Sequence, residues 1–350
     1  MRIAIIGCGF IGATHSHALR ALRRAGHTKA VVATTWDLDP SRAHRFASAH
    51  EGCRPAADLA DALDGVDAAW ICTPTSSHLE AVEAAAARRL AVFCEKPLAP
   101  DLAGAERLAG VLETAGVPSQ VGLVLRHAPV FLRLKEALGE PGFGRPMAAV
   151  LRDDQFFPTQ GQYASTWRAD VGVAGGGALI EHSIHDLDAL TWLLGGVVEV
   201  EAVTANFAGH RGIEDVASVR LTHRSGAVST LISLWHQILS RPSGRRLEVF
   251  CEDRLLWLDE DQVGPLHVEW SAGAESRGPD PAFNRLAASL PVRADWQESL
   301  AVYASADLAF LRAVEQGRPP SPAVSEAVAI HRLVDAVYRS SATGKKVALR

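Results

Sequence analysis

Six residues near the start, Gly7-Cys8-Gly9-Phe10-Ile11-Gly12, spell G-x-G-x-x-G directly behind the apolar run Ile3-Ala4-Ile5-Ile6 and ahead of the Ala/Leu-rich stretch Ala13–Arg24. In that setting each glycine has a mechanical task. Gly7 permits a tight turn out of a strand, Gly9 lets phosphates reach the backbone, and Gly12 lets helix and strand pack closely. A helix opening there also presents unpaired N–H groups and the positive end of its dipole. Six residues alone are compatible with a purely structural turn; strand, turn and helix together point to a dinucleotide, with Phe10 and Ile11 in the binding turn.

The first third continues in the same rhythm. Short apolar runs (Ala30–Trp36, Ala68–Cys72, Ala91–Cys94, Ser119–Val124) alternate with helical stretches (Ser41–Ala49, His78–Arg89, Leu102–Ala115), the pattern of a parallel sheet covered on both faces. The second run ends at Asp37, close to where an acid would bind the adenosine ribose. A carboxylate there bonds a free 2′-hydroxyl and repels a 2′-phosphate, so NAD is expected ahead of NADP. Arg42 keeps NADP open, since a nearby guanidinium can receive such a phosphate.

After residue 125 the rhythm changes. A helix over Pro129–Leu138, a strand over Met147–Phe156, a loop holding Trp167-Arg168, and the triplet Gly175-Gly176-Gly177 lead into one helix through Leu194. Strands then succeed one another (Val197–Phe207, Val216–Thr222, Ala227–Trp235, Arg246–Cys251, Leu255–Leu258), which predicts a mostly antiparallel sheet. Ser271–Pro281 reads as an exposed loop, and helices over Ser299–Gln316 and Val324–Ser341 close the chain. At 350 residues two domains are expected: an α/β domain over 1–123 and an α+β domain over 124–350, the last helix packing back on the first.

A formal charge of -5, 48% hydrophobic residues and the lack of a polybasic run make nucleic acid and anionic membranes unexpected partners. The five cysteines are scattered without a CxxC pair, which argues against a disulfide framework and a zinc site; no metal is expected. The start lacks a signal-peptide core and no apolar run of about 18 residues occurs, so a cytoplasmic protein is expected.

Three further motifs accompany the glycine turn. They are Thr73-Pro74-Thr75-Ser76-Ser77-His78, Glu95-Lys96-Pro97, and Glu181-His182-Ser183-Ile184-His185-Asp186-Leu187-Asp188 behind the glycine triplet. In combination they resemble the Gfo/Idh/MocA family (glucose-fructose oxidoreductase, inositol dehydrogenase, rhizopine catabolism), over nearly the whole chain. The resemblance implies a Rossmann domain followed by a domain built on a large sheet, and an oxidoreductase acting on a sugar, cyclitol or derivative. It also implies that the nicotinamide lies between the domains. By position Lys96 and His185 match the family's catalytic lysine and histidine, Glu181 stands where many members have aspartate, and Ser183 replaces a common glycine. Thr73, Pro74, Thr75, His78, Glu95 and Lys96 fall among the implied cofactor contacts.

The residue chemistry is compatible with that role. Oxidising a secondary alcohol needs a base for the hydroxyl proton, and a histidine with an ordinary pKa of about 6.5 is neutral at working pH. On one helix Glu181 and His185 share a face, four residues apart, as do His182 and Asp186. Lys96 would bring positive charge to a developing alkoxide. Arg126 with His127, Asp154 with Gln155, Trp167, Arg168, His182 and His236 are further candidates for holding a polyol or sugar. Two other functions stay open, an enzyme using tightly held NAD for transient oxidation and a non-catalytic sensor. A homodimer or homotetramer is expected from the exposed sheet face.

Overall fold

The computed structural model describes residues 1–349. Two compact units divide the chain, Met1–Val124 with Ala282–Val328, and Leu125–Pro281 with the chain from Ala329 onward. The second domain was expected over 124–350 with its last helix packing back on the first; the first unit also takes in 282–328, which include the helix Ala294–Glu315.

The first unit is built on six parallel strands, β1 (Arg2–Ile6), β2 (Val31–Trp36), β3 (Arg54–Pro55), β4 (Ala68–Ile71), β5 (Ala91–Cys94) and β6 (Ser119–Val121). Their order is β3-β2-β1-β4-β5-β6. β4 and β5 are buried throughout because both faces of the sheet are covered, which is why they read as unbroken apolar runs. One face packs Ile6, Ile71, Val92 and Leu108. The other packs Ile3, Ile5, Trp70 and Phe93 against Ala306, Phe310 and Leu311 of the helix Ala294–Glu315. Trp70 and Phe93 stack at 5.6 Å, and Phe310 meets both rings edge-on at 5.2 and 5.8 Å. Burying such side chains stabilises by about 2–3 kcal/mol each, and this holds residues 282–328 to the first unit. An amphipathic helix announces that it has an apolar face; it does not announce which core that face joins.

The second unit carries a nine-stranded sheet. Its strands are β7 (Pro146–Phe156), β8 (Val197–Ala205), β9 (Val216–His223), β10 (Val228–His236), β11 (Gly244–Cys251), β12 (Arg254–Leu258), β13 (Leu266–Trp270), β14 (Gly273–Arg277) and β15 (Val347–Ala348). The order is β14-β13-β12-β11-β7-β10-β9-β8-β15, antiparallel except for the β7–β10 pair. β14 occupies five residues in the middle of the stretch expected to be a loop. It is an exposed edge strand paired to β13 through its backbone, so its polar composition concealed it. The single helix expected through Leu194 is two, Ala178–Glu181 and Ile184–Leu194. Among the described residues no helix is long and apolar enough to cross a membrane.

Candidate active site

At the end of β1, Gly7 turns the chain with φ at 94°, a conformation that side chains rarely adopt. A Cβ on Gly7 would lie 2.6 Å from the Cys72 carbonyl, and one on Gly12 would overlap the Gly7 carbonyl oxygen. Gly9 is different. It caps the helix Phe10–Arg24, and a Cβ there would meet nothing within 4 Å. No side chain caps this helix start and no acid stands in its first turn, so its N–H groups and dipole suit an anion. Asp37 borders the turn, accepting the Cys8 N–H at 2.7 Å. Arg42 is ion-paired with Asp39 at 3.5 Å. Phe10 is exposed at the helix start, whereas Ile11 packs inward on the core. The Thr73 hydroxyl is buried with no hydrogen-bond partner among the described residues. Thr75 begins the short 3-10 turn that follows Pro74. Open backbone at Gly9, an uncapped helix start and the Thr73 hydroxyl together fit a dinucleotide.

β4 and β5 run parallel to β1 and follow it in the sheet, so Thr73 and the Glu95-Lys96-Pro97 turn leave the same edge as the glycine turn. The buried His78 faces the Pro97 carbonyl with Nδ1 at 2.9 Å and the Thr73 carbonyl with Nε2 at 3.0 Å. Glu95, also buried, places one carboxylate oxygen 3.0 Å from His15 Nε2 and accepts the Lys96 N–H with the other at 3.3 Å. His15 Nδ1 stands 2.7 Å from Asp307, which also accepts the Trp70 indole N–H at 2.9 Å. Burial alone would lower the His15 pKa, but Asp307 and Glu95 outweigh it and push it up to about 10.

In the second unit, the helix Ala178–Glu181 is anchored by the buried Glu214, whose carboxylate accepts the N–H groups of Gly177 at 2.8 Å and Leu179 at 2.9 Å. The Tyr338 hydroxyl donates to the same carboxylate at 3.0 Å. A Cβ on Gly177 would overlap the Glu214 carbonyl oxygen, which explains the last glycine of the triplet.

The helix ends at Glu181 and restarts at Ile184, with His182 at φ -124° and ψ -64°. The shared helical face expected for Glu181 with His185, and for His182 with Asp186, is therefore absent. Side chains at the break bond elsewhere. His182 Nε2 lies 3.0 Å from Asp153, and the Ser183 hydroxyl lies 3.2 Å from Asp153 and 2.6 Å from Ser233. Glu181 accepts from Arg168 at 3.1 Å, and the Arg168 guanidinium sits 4.5 Å over the Trp167 ring. His185, 8% exposed, opens the second helix.

Behind the break, Asp153 and Asp186 are both fully buried and hydrogen-bonded to each other. Arg245 reaches Asp186 at 2.7 Å and Asp153 at 3.2 Å, and bonds Asp261 as well. Burial, opposed by Arg245 and reinforced by Asp153, raises the Asp186 pKa to about 7. Asp154 accepts both prongs of Arg241 and stands 3.0 Å from Arg152 and 3.4 Å from His236. Arg126 grips Asp188 at 2.6 and 2.9 Å.

Of the expected substrate contacts, Asp154 meets His236 and Trp167 meets Arg168, whereas Arg126 and His182 bind acids the sequence did not single out. Asp153, Arg245, Glu214, His15 and Asp307 were missed altogether. A signal existed for two of them, because Asp153 and Arg245 occupy inward positions of alternating strands, where a charge requires a buried partner.

Residues 1–123 match the family described as "Oxidoreductase family, NAD-binding Rossmann fold", and residues 131–256 match "GFO/IDH/MocA C-terminal domain". The chain belongs to the Gfo/Idh/MocA oxidoreductases. Among its relatives, a D-apiose dehydrogenase of Paraburkholderia graminis is 28% identical over 99% of this chain and 89% of its own. An inositol 2-dehydrogenase of Rhizobium meliloti is 26% identical over 100% of this chain and 99% of its own. The fold matches that of a levoglucosan dehydrogenase solved with NADH, at a TM-score of 0.86 and 21% identity over 100% and 99% of the two chains. As a Gfo/Idh/MocA member the chain is an oxidoreductase whose cofactor is NAD.

Proposed function

We propose that this oxidoreductase is a dehydrogenase of a secondary hydroxyl on a sugar, cyclitol or sugar derivative. When bound, NAD supplies the hydride acceptor. Gly9 opens the helix start to its phosphates, Gly7 and Gly12 shape the turn behind them, and Asp37 takes the ribose hydroxyls. His185 accepts the hydroxyl proton and returns it in the reverse direction. Lys96 stabilises the negative charge that develops on the substrate oxygen. Glu181 supplies a further carboxylate, with Arg168 as its fixed partner. Arg126, Asp154, Trp167, His182 and His236 supply polar and aromatic contacts to the ring and its hydroxyls.

The observation that supports this most is the position of Lys96, on the sheet edge that also carries the glycine turn and in a turn gripped by buried groups on both sides. The relatives' names set the range of substrates to try. NAD reduction is to be followed spectrophotometrically across inositols, aldoses including D-apiose, and anhydrosugars including levoglucosan. Lys96→Ala and His185→Ala should each cut turnover of the best substrate by about 100-fold or more while leaving NADH binding within a few-fold of the parent. Turnover unchanged in either variant removes that residue from the mechanism.

A further inference from the structure

His15 stands in the first unit without a part in the chemistry above, yet it is 1% exposed and spends both ring nitrogens on acids. Its partners come from distant parts of the sequence: Asp307 from the helix Ala294–Glu315 and Glu95 from the turn after β5. The ring also meets Phe93 at 5.0 Å and Tyr303 at 6.1 Å, both edge-on. Asp307 is held in its turn by the Trp70 indole. On the far side, Glu95 is confined by Gly122, where a Cβ would overlap the Glu95 carboxylate, and its second oxygen bonds the Lys96 backbone. The result is a continuous line of hydrogen bonds from Trp70 through Asp307, His15 and Glu95 to the amide of Lys96.

We propose that His15 is a positioning residue for Lys96, fixed by Asp307 on one ring nitrogen and fixing the Glu95 carboxylate with the other. Both nitrogens face carboxylates, and only the doubly protonated ring donates to both. The raised pKa agrees with that state. A neutral ring would donate to only one of the two acids, and wherever that acid is Asp307 the Glu95 carboxylate would lose the contact that fixes it against the Lys96 amide. Cys72 and Cys94 also stand close to these acids, and burial keeps both thiols protonated. The inference rests on the proposed role of Lys96, and the test separates the two.

The variants are His15→Gln, Glu95→Gln, the double variant, and Lys96→Ala, with Asp307→Asn in reserve should His15→Gln fail to fold. Nitrogen-15 NMR of the parent at pH 8 should show both His15 ring nitrogens protonated, and the Lys96 amide resonance should move in His15→Gln and Glu95→Gln alike. With the best polyol from the substrate screen, His15→Gln should lower kcat about tenfold or more with KM nearly unchanged, and the double variant should be no worse than the poorer single one. A neutral His15 ring, an unmoved Lys96 amide, or independent additive losses in the double variant would each overturn the proposal. If Lys96→Ala keeps its turnover, the catalytic role of Lys96 fails instead, a result that the NMR arm distinguishes from failure of the His15 proposal.

Discussion

Substituting alanine at Gly9 and at Gly12 separates the approach of a ligand from the packing of the fold. Gly9 has φ at -83°, which alanine adopts freely, and its missing Cβ would meet no protein atom within 4 Å. The intrinsic cost of Gly9→Ala is that of a poorer N-cap, about 0.5–1 kcal/mol, which lowers the melting temperature of a chain this size by no more than about 4 °C. The methyl group nevertheless stands on the surface offered to the phosphates, so NADH should bind about tenfold more weakly or worse, equivalent to about 1.4 kcal/mol. Gly12→Ala behaves oppositely. Its Cβ would overlap a backbone carbonyl that cannot rotate aside, and helix and strand must separate. That overpacking costs about 1–3 kcal/mol and should lower the melting temperature by several degrees before any ligand is added. Thermal scans of both variants and fluorescence titrations with NADH measure the two quantities. Unimpaired NADH binding by Gly9→Ala, or equal destabilisation by the two substitutions, would refute the division of labour among these glycines.

Two other outcomes are expected. The His15 pKa is higher folded than unfolded, so its contribution to stability is complete below pH 6.5 and is lost as pH rises through about 10. Urea unfolding across that window should show a decline on the order of several kcal/mol in the parent that is missing in His15→Gln, and parallel curves would exclude the linkage. On the open face of the large sheet, Val150, Val228 and Phe250 are exposed on the neighbouring strands β7, β10 and β11. We propose self-association through this face; light scattering should find a dimer or tetramer that Val150→Glu reduces in size, and a monomeric parent would rule this out.

Much of the first unit was legible because its rules are local. The turn at Gly7, the order of strands and helices, and the C-terminal strand edge where Thr73 and Lys96 emerge all follow from short-range chemistry and the handedness of parallel crossovers. What escaped was assignment between distant segments. The helix Ala294–Glu315 was expected as a helix, but its membership in the first unit depends on Phe310 meeting Trp70 and Phe93, more than 200 positions away. β14 escaped for another reason, since an exposed edge strand needs backbone pairing and no apolar side chains.

The candidate active-site residues divide along the same line. Four-residue spacing made Glu181 and His185 look like helical neighbours, a sound inference wherever the helix is continuous. Here the backbone breaks at His182 and Ser183, whose side chains bond Asp153 on β7, 29 and 30 positions earlier. Asp153 holds that position because Arg245 reaches both it and Asp186, which makes two buried acids tolerable side by side. Local helical geometry thus yields to a charge cluster that only the folded sheet assembles. His15 follows the same logic. Three residues past Gly12 on a helix with a buried face, it required polar partners from the outset. Only the fold could show that those partners are Asp307 and Glu95, and hence that a buried histidine reaches the backbone of Lys96.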